Sequence, residues 1–374
     1  MRWLLPALLC LVQVASAQES SSSAELAKEA LAARDAGQTK HSIELYRLAL
    51  TLDPTDTESW WYQGLNYYDL DRYSDCQAAF GKVTEQMPDN GGAFAFLGLC
   101  EYQTGSYETA FAHLVVAQQK GIQPGTELAN IVRYHYIALT NKIGQFELAS
   151  GLLNEVVADS SVNLPNVAKL VGLSMLRLKL TPEEIPAEQE KQVLAAGRAV
   201  ILAWRRRLPE AMKEADALLA KYPKLPNAHY LKAYLFLQEH SDEAIPEFEK
   251  ELKVSPEHVQ ARLQIAYEYL QRGEAEKGLP YAEQAVAIAP TDFTAHNIYG
   301  RLLLDLGKID LAVTHLEKAV ELAPTSPEAH FQLAAALSRA GRKEEAAKHR
   351  KIFVDLEKVR RAERGSILPQ QKRR

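Results

Sequence analysis

The residues of this chain that could do chemistry are ten histidines, three cysteines and a large acidic complement. Metal binding or acid–base catalysis needs such groups to converge at fixed spacing. The histidines do not: no His-Glu-x-x-His occurs, and His229, His296 and His330 each follow an alanine at a place held elsewhere by Trp60 and Phe94. That equivalence gives them a packing role. Glu183-Glu184 and Glu344-Glu345 read as solvated charge, and Arg205-Arg206-Arg207 ends a predicted helix, where cations oppose the negative end of the dipole. The glycines are isolated rather than clustered before a helix, so there is no phosphate loop, and no Gly-x-Ser-x-Gly elbow is present. The sequence therefore names no catalytic residue, no metal ligand and no cofactor, and the expectation is a non-enzyme.

Charge and cysteine usage narrow the class further. A net charge of −5, from 43 Lys or Arg against 48 Asp or Glu, argues against a general nucleic-acid binder. Basic residues gather at the end: residues 350–374 hold nine Lys or Arg and three Asp or Glu. This reads as a solvated terminal helix and frayed tail, with contact to anionic lipid or an acidic partner as the sharper alternative. At the other end, Arg2, an apolar run over residues 3–14 and Ala15-Ser16-Ala17 have the form of a secretory leader cut before Gln18. The run is too short for a membrane span, and no later segment reaches that length without charges. The expected location is periplasmic or secreted. Cys10 would leave with the leader and, behind bulky Leu9, is a poor lipid-attachment site. Cys76 and Cys100 remain: export permits a disulfide, while their small-residue positions favour two packed thiols.

The elements that must position any site follow from internal repetition, the first pattern to seek. Pro54 and Pro88, then Pro223, Pro256, Pro290 and Pro324, are spaced by 34, then 33, 34 and 34 residues. Twelve residues before each stands a mostly small residue: Ser42, Cys76, Ala211, Ala244, Gly278 and Ala312. Eight before come Tyr46, Phe80, Phe248 and Leu316, with Ala215 and Ala282 as smaller members. Five before lie Ala49, Val83, Leu218, Ala285 and Ala319, with Glu251 as the exception. Gly64, Gly98 and Gly300 in the first half of their units let paired helices approach, and Gly105, Gly144, Gly273, Gly307 and Gly341 mark the turn between halves. Each unit is apolar at helical spacing on both halves, so one hairpin cannot bury its faces alone and neighbours must stack. The closing proline ends one unit, and Asp56 or Ser326 caps the next helix.

Trp60, Gly64, Tyr67, Cys76, Phe80 and Pro88, and again His296, Gly300, Leu303, Ala312, Leu316 and Pro324, are the positions at which the chain resembles the tetratricopeptide repeat (TPR) family. The resemblance covers roughly residues 23–360. It implies an all-α, right-handed α-solenoid of about nine hairpins with one irregular helix near the middle. The expected organisation is a leader at 1–17, a four-hairpin array at 18–160, an irregular helix and acidic proline-bearing connector at 161–191, a five-hairpin array at 192–363, and a basic tail at 364–374. The register breaks between Gly121 and Lys191: residues 163–178 read as one unpaired helix, and the fourth unit lacks a clean first helix. Pro280, inside a predicted helix, should kink or shorten it.

In the family this resembles, the first helix of each pair lines a concave surface in which partner peptides lie. Carried onto matching positions, that groove would hold Trp61, Leu65, Tyr68, Tyr102, Tyr230, Tyr234, Tyr267, Asn297, Arg301 and Phe331. Asn297 and Arg301 only approach the Lys and Asn pair with which some members grip a terminal carboxylate, which puts that ligand class in doubt. An aromatic groove on a rigid scaffold suits a peptide or protein partner. The expected function is a non-catalytic interaction scaffold, and the alternative is a glycan- or exopolysaccharide-associated envelope factor using the same rings.

Overall fold

The computed structural model describes residues 22–158, 164–239 and 242–367. The leader and Cys10 lie outside them; of the basic tail, residues 364–367 fall in the last helix and 368–374 lie outside. Among the described residues there are nineteen α-helices, one 3-10 turn and no strand. The chain is an all-α solenoid whose hairpins pack in two compact units, with the division between Ile143 and Gly144.

In the first unit α1 (Ser23–Asp35) pairs with α2 (Thr39–Leu52), α3 (Thr57–Asp69) with α4 (Tyr73–Gln86), and α5 (Gly91–Gln103) with α6 (Tyr107–Lys120). The pairs stack in sequence, and α7 (Glu127–Lys142) packs on α5 and α6. The fourth unit does have a regular first helix: α7 runs sixteen residues from a Thr126 cap. Asp56 accepts from the Glu58 and Ser59 N–H groups to start α3, as its position after the proline implies. A Cβ on Gly64 would stand 2.7 Å from the Phe80 ring, so the missing side chain is what lets α3 and α4 close. Cys76 of α4 and Cys100 of α5 form a disulfide across neighbouring hairpins, correcting the expectation of two packed thiols. Both cysteines are fully buried, so the packing half of that reading stands.

The second unit opens with α8 (Phe146–Ala158), α9 (Leu164–Met175), the 3-10 turn Pro182–Glu184 and α10 (Ala187–Trp204). The helix expected to be unpaired is α9, and it packs tightly along α10. A Cβ on Gly172 would lie 1.9 Å from the Val193 carbonyl oxygen, and one on Gly197 1.9 Å from that of Ala168. The segment expected to join two arrays thus belongs to the core of one of them. Beyond it α10 also pairs with α11 (Leu208–Lys221), followed by α12 (Ala228–Leu237) with α13 (Ala244–Val254) and α14 (Val259–Gln271) with α15 (Ala275–Ile288). The stack ends with α16 (Phe293–Asp305) on α17 (Ile309–Leu322) and α18 (Pro327–Arg339) on α19 (Lys343–Ile367). Pro280 does not shorten α15, which has the fourteen residues of α17. Where most turns hold glycine at positive φ, α9 and α10 end on Arg177 at 54° and Arg206 at 60°, non-glycine residues held in the left-handed region.

Candidate functional site

In the second unit, side chains from four helices and the α9 end converge on one cleft of about 320 Å³. Tyr230 and Tyr234 of α12 and Gln264 of α14 form one side. Phe146, Ser150 and Asn154 of α8, with Arg177 after α9, form the other, and Trp204 at the end of α10 completes it. Trp204 donates its indole N–H to the Tyr234 hydroxyl at 3.0 Å. That leaves the Tyr234 proton, which has no acceptor among the described residues, for an incoming group. Arg177 lies over the Phe146 ring at 4.9 Å and donates to Glu147 at 2.6 Å, which neutralises the charge at the rim. Burial holds the Tyr230 hydroxyl at about 12, so it stays protonated at any ordinary pH.

Beneath this cleft lies a polar network that fixes its floor. Glu251 is fully buried and accepts from the backbone N–H of Asn227 at 2.8 Å, that of Tyr230 at 3.3 Å, and the Ser255 hydroxyl at 2.7 Å. It therefore does from α13 what a capping side chain would do for α12, whose own N-cap residue, Asn227, is left-handed and makes no side-chain cap. Asn227 instead donates to the Leu176 carbonyl at 2.9 Å and receives the His258 Nε2–H at 2.7 Å. His258 Nδ1 accepts the Ala261 N–H at 3.1 Å, which places the ring proton on Nε2. Burial pushes the His258 imidazole down to about 4. The departure of Glu251 from the apolar pattern is thus a helix cap, and the His258 ring stacks under Tyr230 at 5.0 Å.

The other expected groove residues divide. Trp61 meets Phe80 and Phe96 edge-on at 5.4 and 6.0 Å, Tyr68 meets Phe96 at 5.6 Å, and Leu65 packs with them, all half-buried around the core that holds the disulfide. Tyr267 is 38 % exposed under the Arg301 guanidinium, and Phe331 is 49 % exposed beside Phe353. Tyr102 and Asn297 are buried and do not line a groove. The Tyr102 ring lies 4.3 Å from His135, while Asn297 donates to Glu328 at 3.2 Å and keeps a buried, unpaired carbonyl oxygen. Arg301 also reaches Glu328, so the pair that approached a carboxylate clamp already holds a carboxylate of the chain itself.

Tetratricopeptide repeat models match residues 63–123 and 230–293, and a TPR repeat model matches 300–341, in phase with the hairpins described above. The chain carries TPR repeats. No curated protein matches it in sequence. Among solved structures, a double mutant of MamA from strain RS-1 is 23% identical with a TM-score of 0.43, covering 46% of this chain and 96% of that one. MamA from Desulfovibrio magneticus, residue 41 to its end, is 23% identical with a TM-score of 0.42, covering 45% and 96%. YrrB, described as a TPR protein with an unusual peptide-binding site, is 21% identical with a TM-score of 0.39, covering 45% and 89%.

Within the TPR frame, two of the three histidines expected to pack do so by a shared bond, while His229 instead places Nδ1 2.7 Å from Glu247. His296 and His330 place Nε2 3.0 Å from the carbonyls of Pro290 and Pro324, as Trp60 places its indole N–H 2.9 Å from that of Pro54. The ring donates in each case. Arg177 escaped the TPR pattern because it sits at the register break, where no repeat position predicts it, and Trp204 ends the first helix beyond that break.

Proposed function

We propose that this TPR chain is an exported, non-catalytic scaffold that takes a short segment of a partner protein into the cleft between α8–α9 and α12–α14. TPR arrays serve as protein-binding scaffolds, and the repeat matches support that role here. The observation that carries the reading is the convergence of Trp204, Tyr230 and Tyr234 on a walled concavity with an unspent hydroxyl donor. Rigid aromatic rings there offer contact area at small entropic cost. Export is supported by the leader-like start and by the Cys76–Cys100 disulfide, a bond that persists in oxidising compartments.

The test is crosslinking and capture from an envelope fraction with the wild-type chain and with Trp204→Ala and Tyr234→Ala. Partners held by the cleft are lost from both variants, whereas Trp61→Ala and Tyr68→Ala report on the first unit separately. Retention of every partner by the Trp204 and Tyr234 variants would sink the cleft assignment. Alkylation of acid-quenched cells after denaturation, with and without reductant, reads the location: thiols that label only after reduction accord with export, and thiols that label without it oppose it. A second reading has one observation in its favour: Ser150, Asn154 and Gln264 set uncharged donors and acceptors beside the rings, as a saccharide ligand would require. Binding of cell-wall or exopolysaccharide fragments, competed by the partner, distinguishes the two.

A further inference from the structure

The second half of each of the last two hairpins adds a histidine to the ring that grips the proline carbonyl. His315 of α17 places Nδ1 3.0 Å from His296 Nδ1, and His349 of α19 places Nδ1 2.9 Å from His330 Nδ1. The rings of each pair are nearly parallel, with interplanar angles of 26° and 23° and centroids 5.2 and 5.1 Å apart. The inner rings are buried, and their Nε2–H is committed to Pro290 or Pro324. Each inner ring therefore meets its partner through Nδ1 alone. A neutral pair is satisfied when the outer ring donates Nδ1–H to the inner nitrogen. A pair with one added proton is satisfied as well, since a single hydrogen still lies between the two nitrogens. With both rings charged, two N–H groups point at each other across the same gap, and the bond cannot exist.

We propose that these two imidazole pairs are a proton-sensitive latch that loosens the α16–α19 end of the solenoid on acidification. The groups facing each pair do not relieve the conflict. Around His315 stands the Tyr299 ring at 4.6 Å, itself facing Glu283 of α15, and no carboxylate pairs with either ring among the described residues. Near His349, Glu345 and Lys348 of α19 and Glu317 of α17 act in opposition, and Arg342 binds both of those carboxylates. Burial and the neighbouring imidazole hold His315 and His349 below the usual histidine value. Because these rings protonate less readily folded than unfolded, stability is full above about pH 6.5 and declines as pH falls below it. In the first unit Trp60 makes the same bond to a proline carbonyl with a group that does not titrate.

Hydrogen exchange read by mass spectrometry on the full chain, corrected for intrinsic rates, tests the latch. Two unit charges 3.0 Å apart, even at the dielectric of water, raise the opening constant about tenfold per pair. Opening of α16–α19 should rise by that order between about pH 7.5 and about pH 5, while α3–α4 stays flat. His315→Gln with His349→Gln keeps an N–H for the inner ring and should abolish the rise. His296→Trp with His330→Trp, copying Trp60, should do the same if the glutamine variant folds poorly. A wild-type C-terminal end with no acid response, or a response that survives both replacements, overturns the proposal.

Discussion

Restoring Glu251 to the apolar residue that its repeat position calls for should destabilise the protein. The equivalent residue one unit earlier is Leu218, so Glu251→Leu is the substitution the repeat pattern recommends. It would leave the buried N–H groups of Asn227 and Tyr230 and the Ser255 hydroxyl without their acceptor. Each stranded backbone donor costs about 1–3 kcal/mol, and burying the leucine recovers about 1–2, for a net loss of about 3 kcal/mol. Glu251→Gln keeps one acceptor oxygen and should lose about 1–2 kcal/mol. Urea unfolding followed by circular dichroism reads the difference: with a slope of about 2–3 kcal/mol/M, the leucine variant should melt about 1 M earlier. Amide exchange at Asn227 and Tyr230 should accelerate in the same variant. A leucine chain as stable as wild type, or more stable, would refute the cap assignment, since burial alone would then decide the position.

Three further outcomes follow from the packing and the buried network. Gly172→Ala forces a methyl against the Val193 carbonyl and should cost at least about 3 kcal/mol with loss of exchange protection in α9, whereas Gly151→Ala, with open space at its Cβ, should be neutral or slightly stabilising in the same melt. Opening the Cys76–Cys100 bridge, which spans 24 residues, should lower the stability of the first unit by about 3 kcal/mol and leave the second unchanged, as two-probe thermal unfolding would show. Because His258 titrates at about 4 when folded, stability should fall as pH drops from the ordinary imidazole range toward that value, by up to about 3 kcal/mol. His258→Asn, which retains an N-cap acceptor, should flatten that portion of the pH–stability curve.

The repeat frame was legible because it rests on local sterics. Proline ends a helix wherever it stands, and a small residue at a crossing is small whatever lies beyond. The same logic fails at the joint: α9 has no period to betray it, and its fit to α10 depends on Gly172 and Gly197 meeting across a distance that no single helix encodes. Groove positions are intermediate. Tyr230 and Tyr234 reach a cleft, but Tyr102 and Asn297 do not, since exposure on a first helix depends on what the following hairpin lays over it. Glu251 showed only as an exception, because its purpose lies on α12, 24 residues earlier. The bridge was missed from sequence because small positions in α4 and α5 suit packed thiols, and the approach of the two sulfurs depends on how neighbouring hairpins stack.

The ring-to-proline bond has a consequence for how such an array can change its length. Its six-residue reach, the same at Trp60, His296 and His330, ties the mouths of these three hairpins to the exits of the ones before. An insertion inside that stretch breaks the tie, whereas one at the mid-hairpin bend leaves it whole. Growth or trimming of the coil is therefore steered to one rim, and what a ring must supply there is a hydrogen at the right reach, which indole and imidazole do alike.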